Sequence, residues 1–85
     1  MKTMLMNEFD DNSGKYAIVE VEVPLEWLGK SVGKLDVRKK YNVNVIALKQ
    51  GNQVSSLVDS DTVLSSEKTM LVLGEFTALQ NCFHI

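Results

Sequence analysis

The sequence holds one cysteine, Cys82, and one histidine, His84, close together near its end. A lone thiol makes no internal disulfide, so the fold does not depend on an oxidising compartment. A metal site built on Cys82 and His84 would need ligands that no other cysteine or histidine supplies. Asp59 and Asp61 flank Ser60, but the glycine and terminal glutamate of a calcium loop are missing, which leaves turn chemistry as the better account. There is no glycine-rich phosphate loop, no nucleophile elbow and no paired histidine. No window approaches the roughly 20 apolar residues that span a bilayer. The opening "MKTMLMNEF" lacks the apolar core and small-residue cleavage site of a signal peptide. These absences lead to the expectation of a soluble, intracellular domain that is not an enzyme and holds no covalent cofactor.

What is present is small. Eighty-five residues and 9.5 kDa make one domain, for which area scaling gives burial of roughly 63% of the unfolded chain's surface. Domains of this size often gain stability by pairing with a second copy, so a dimer is expected. The net charge is −2, but it is segregated: residues 1–29 carry −4, residues 30–49 carry +5 and residues 50–85 carry −3. The basic block is Lys30, Lys34, Arg38, Lys39, Lys40 and Lys49 against Asp36. Two readings are open, a solvated face paired with neighbouring acids, or a site for a small anion. A nucleic-acid partner is not expected, because such binders are basic as a whole and the sequence pI is about 5.2.

Met1, Met4, Leu5 and Phe9 follow a helical spacing, so residues 1–14 read as a helix end, or a disordered start, followed by the breaker "DDNSG". In "KYAIVEVEVP", Val19, Val21 and Val23 alternate with Glu20 and Glu22, which predicts a strand with one wet face closed by Pro24. Gly29 and Gly33 interrupt the next stretch. Ser31 and Asp36 are N-cap residue types, so two short helical turns are expected, at about 31–35 and 36–41. Asn42 fits the left-handed position that ends a helix. This break means that Lys30, Lys34 and Arg38 do not form one helix face. Residues 43–49, "VNVIALK", read as a central strand apolar on both faces, turning through "QGN" into a second strand near 53–57. A turn or short strand at 59–64, a buried strand at 69–76 and a closing helix marked by Phe76, Leu79 and Phe83 complete a small α+β domain with a mixed or antiparallel sheet and two short helical regions.

The run "VEVPLEWLGKSVGKLDVRKKYNVNVIALKQGNQV", followed by "DSDTVL" and "MLVLG", resembles the TrkA C-terminal domain, or RCK_C domain, of potassium transport systems, over about residues 15–79. The resemblance is nearest to the Ktr-type branch and assigns residues 15–85 to the domain. It implies a cytoplasmic twofold dimer, held at the inner face of the membrane through its partners without inserting into it. Those partners would be a nucleotide-binding RCK domain and a membrane channel or transporter subunit. In the Ktr-type branch the dimer interface binds cyclic di-AMP, which is implied here as a ligand.

By the same resemblance Arg38 matches the phosphate-binding position, and its planar fork suits phosphate oxygens. A twofold dimer presents each residue twice, which gives one arginine per phosphate. Asn44 would supply an amide donor, and Val45 and Val32 would wall in adenine. The structural alternatives are that Arg38 pairs with an acid, Asn44 caps the start of a strand and both valines are core. The sequence departs from the family where Val58 and Ser60 replace prolines, Glu67-Lys68 replaces a Gly-Asp turn and Asn42 replaces a glycine. A positive φ at the turn would strain Glu67. No "GxGxxG" is present, so the chain is expected to be an excised or a stand-alone regulatory domain. The competing functional reading is a structural dimerisation module without a ligand.

Overall fold

The computed structural model describes residues 2–5 and 15–85. Five strands, β1 (Lys2–Leu5), β2 (Tyr16–Glu22), β3 (Val43–Gln50), β4 (Gln53–Ser55) and β5 (Thr69–Glu75), form one sheet in the order β1-β2-β5-β3-β4. Every neighbouring pair is antiparallel. A 3₁₀ turn at Leu25–Trp27 and the short helices α1 (Val32–Leu35) and α2 (Val37–Tyr41) connect β2 to β3. Helix α3 (Phe76–Phe83) follows β5 without a loop.

The helical spacing read at the start of the chain is overturned for Lys2–Leu5, which pair with β2 from Lys2 opposite Glu20 to Leu5 opposite Ala17. Four residues are too few to fix a period, and backbone pairing along a strand edge decides the conformation instead. The other residues of the 1–14 segment, including Phe9 and "DDNSG", lie outside the described residues.

Alternation in β2 separates the two faces of the sheet. Ala17, Val19 and Val21 are buried and lie beside Met70 and Val72 of β5 and Val43 and Val45 of β3. The helices close over this side with Val37, Leu79 and Trp27, and Leu64 of the long connection completes the core. On the other face Ile18, Leu71 and Leu73 are half-buried, and no described helix packs over them.

A bulge between Val45 and Ala47 shifts the register of β3 against β5. The extra residue, Ile46, re-phases the strand, so that Leu48 returns to the core opposite Met70 and Lys49 lies opposite Thr69 on the second face. There Lys49 Nζ reaches Glu20 Oε2 at 3.6 Å. Without the bulge, period-two alternation would turn Lys49 into the core. The β3–β4 hairpin closes on Gly51 and Asn52 between paired Gln50 and Gln53, with Gly51 at φ 60°, a conformation that glycine adopts without a Cβ clash.

Candidate functional site

The site starts from the two interrupted helices. Ser31 caps α1, its Oγ accepting from the Lys34 N–H at 3.3 Å. Asp36 then turns the chain at φ 50° and ψ 47°, ending α1 and starting α2, and Asn42 ends α2 at φ 58°. The expected break between the helical turns is therefore present, but Asp36 makes no side-chain cap bond. It serves through its tolerance of the left-handed region, where a short polar side chain costs less than a branched one. Arg38 follows two residues later and is exposed.

This segment is stitched to the connection before β5. The N–H groups of Val32 and Gly33 donate to the carbonyls of Thr62 and Ser60, each at 2.9 Å, and Leu64 exchanges backbone bonds with Gly29 and Lys30. A Cβ placed on Gly33 would lie 2.8 Å from Ser60 Cβ and 2.9 Å from its carbonyl oxygen, so this approach requires glycine. The expected strand near 53–57 ends at Ser55, and 59–64 forms a turn with one isolated bridge, Ser31 to Val63.

Asp59 and Asp61 belong to that turn. Asp59 Oδ1 accepts from the Asp61 N–H at 2.9 Å and from Thr62 Oγ1 at 3.2 Å, while Thr62 Oγ1 accepts from the Asp59 N–H at 3.1 Å. These hydrogen bonds brace the 59–62 stretch. Val58 is half-buried and packs against the core. Glu67 is not among the residues with positive φ. The turn before β5 instead closes from the Lys68 N–H to the Ser65 carbonyl at 3.3 Å, which removes the expected strain.

Val32, Arg38, Asn44 and Val45 all line one cavity of about 260 Å³, whose far wall is Val58 and Ser60. Arg38 and Asn44 also line an adjoining hollow of about 330 Å³, with Tyr16 and Leu73 on its other side. The two residues form the ridge between these spaces. Asn44 lies opposite Leu73 and so belongs to the uncovered sheet face, half-buried there. Val45 is only 7% exposed and is chiefly a core residue, while Val32 is half-buried at the start of α1. Sequence reasoning missed Tyr16, which comes to the ridge through strand pairing, and noted Val58 only as a departure from the family's prolines.

Charge around the ridge is uneven. Among the described residues the ion pair is Lys49 with Glu20, and no acid lies within salt-bridge distance of Arg38. The guanidinium thus has no acidic partner among the described residues, and its fixed fork is suited to an oxyanion. Asp36 and Asp59 also border the cavity, so an anion is directed to the Arg38 and Asn44 side. Asp59 is partly neutralised by the two donors that it already accepts. Away from this ridge, burial pushes the Cys82 thiol up to about 11, so it stays protonated near neutral pH.

The chain is 29% identical over 65 residues to the Ktr system potassium uptake protein C of Bacillus subtilis (strain 168), and 33% identical over 66 residues to the K(+)/H(+) antiporter subunit KhtT of the same organism. Each match takes in 76% of this chain, but only 29% and 40% of those proteins respectively. The RCK C domain of the potassium transport protein KtrA, solved in complex with cyclic diadenosine monophosphate, superposes with a TM-score of 0.71 at 25% identity, covering 79% of each chain. The GsuK RCK domain gives the same TM-score at 13% identity over 81% of this chain and 16% of that one, a likeness of fold alone. The TrkA-C domain model matches residues 16–81, and the chain belongs to the TrkA-C domain family.

Proposed function

We propose that this chain is a non-enzymatic regulatory domain of a potassium transport system, and that it binds cyclic di-AMP between two copies of itself. The observation that carries this reading is the convergence of Val32, Arg38, Asn44 and Val45 on one cavity, with Arg38 free of any described acid. One cavity of about 260 Å³ falls below the usual size of a pocket that encloses a small molecule. A cyclic dinucleotide with two adenines therefore needs a second copy to cover it. Twofold symmetry supplies this, with one Arg38 per phosphate. The uncovered sheet face, where Asn44 and Leu73 meet the ridge, supports the same pairing.

Ligand that favours one arrangement of the two copies shifts that arrangement's population, and the shift is passed to a membrane subunit. Working through such a subunit places the domain in the cytoplasm, at the inner face of the membrane. Among the described residues no helix is long and apolar enough to cross a membrane, so the reading assigns transport to a partner.

Isothermal titration of the purified chain with cyclic di-AMP at moderate salt, with AMP as control, tests this. The expected result is saturable binding at one nucleotide per two chains, weakened at least tenfold by Arg38→Ala. That loss corresponds to the roughly 1.5–3 kcal/mol of a hydrogen bond to a charged group. Equal binding by wild type and Arg38→Ala would overturn the site. Absence of heat from folded, dimeric protein would leave a structural dimerisation module as the function.

A further inference from the structure

A second surface lies at the C-terminal end of α2, where Tyr41 lines a space separate from the one that Arg38 lines. A groove of about 910 Å³ runs between the β2 end, the 3₁₀ turn and the end of α3. Its floor and one wall are aromatic: the Trp27 ring lies 6.0 Å from Tyr41 and 5.5 Å from Phe83, centroid to centroid. Leu25 stands on its rim 83% exposed, and Tyr41 is 41% exposed. Glu22 and Glu26, both exposed, border it together with His84, and among the described residues no lysine or arginine lines it. Among the described residues none of the basic block lines this groove, while two acids do.

We propose that this groove docks a basic segment of a partner protein through one or two large apolar side chains flanked by lysine or arginine. Leu25, Tyr41 and Ile85 are exposed at this groove over the buried Trp27, and exposed apolar side chains gathered in one place mark an interaction surface rather than a solvent face. Trp and Tyr are the residue types that most often anchor protein interfaces. The two carboxylates set the sign of the partner's flanking charges and its rate of approach. Openness decides between a chain segment and a small molecule, because enclosed ligand sites cover most of their occupant. A groove with Leu25 standing 83% exposed on its rim leaves a small molecule largely wet.

Trp27 is the only tryptophan in the chain, so its fluorescence reports on the groove directly. The probe is a synthetic fourteen-residue peptide of leucine and lysine with leucines at helical spacing. It is titrated against the same peptide bearing glutamate for lysine, and against tetraphenylphosphonium as a small aromatic cation. The expected result is a saturable change with the lysine peptide and binding at least tenfold weaker with the glutamate peptide. Leu25→Ser, and separately the pair Glu22→Lys and Glu26→Lys, are each expected to weaken the lysine peptide at least tenfold. Because Leu25, Glu22 and Glu26 are exposed, these variants should fold, which their circular dichroism checks. Equal binding of both peptides, indifference to the groove variants, or phosphonium binding as tight as the lysine peptide would overturn the proposal.

Discussion

Gly33 shows how one missing side chain sets the shape of the Arg38 cavity. Alanine there gains about 1 kcal/mol of helix propensity over glycine. The new Cβ, however, would sit within 3 Å of both the side chain and the carbonyl of Ser60, and overpacking of that kind costs typically 1–3 kcal/mol. The backbone bond from Gly33 to Ser60 keeps the loop from retreating freely. Gly33→Ala is therefore expected to destabilise the chain by about 1 kcal/mol in urea denaturation and to weaken binding at the cavity, since Ser60 forms its far wall. A variant more stable than wild type would show that the loop yields without loss.

At the scale of elements, the junction between α1 and α2 aims Arg38. Asp36 holds φ 50°, a region that costs an ordinary L-residue roughly 1–2 kcal/mol. Asp36→Val should cost about that much in thermal or urea denaturation, whereas Asp36→Gly should be neutral or slightly stabilising. If Asp36→Val proved harmless, the two helices would not depend on the left-handed turn. The break itself was legible in the sequence, because Gly29, Gly33, Ser31 and Asp36 are local signals. So were the cap at Asn42, the alternation of β2, the hairpin at Gly51 and the closing helix at Phe76, Leu79 and Phe83. Arg38, Asn44, Val45 and Val32 could be named from the family pattern. Their meeting at one cavity could not, because it depends on how the 58–64 loop docks on the 29–33 segment. The bulge at Ile46 left no mark either. "VNVIALK" is apolar on both parities, and only the register against β5 shows which residue is surplus. The strand at Lys2–Leu5 was misread because its pairing partner, β2, lies beyond any local window.

At the scale of the whole molecule, the two candidate surfaces share one short helix. Arg38 of α2 lines the small cavity, and Tyr41 at its other end lines the groove. Helix α2 is bounded by the left-handed residues Asp36 and Asn42. Any coupling between the two surfaces through this helix is reciprocal by thermodynamic necessity.

The position of β5 also governs how the chain comes into being. It is the last strand in sequence, yet it lies at the centre of the sheet, with β2 on one side and β3 on the other. Tyr16 waits for Glu75, and Val43 for Gly74. Until β5 has been synthesised, the described part of the chain offers only two separate hairpins, β1–β2 and β3–β4, and an isolated hairpin is marginal in water. A chain ended at Lys68 is expected to show no cooperative unfolding transition and a disordered circular dichroism spectrum. The complete chain should refold on the slower side for its size, in milliseconds to seconds by Trp27 fluorescence, as non-local strand pairing dictates. A cooperative transition in the shortened chain would show that the first four strands suffice. On the ribosome the consequence is an all-or-nothing birth: a product interrupted before β5 exposes its apolar strands at once, and quality-control proteases meet an unfolded chain rather than a partly folded one.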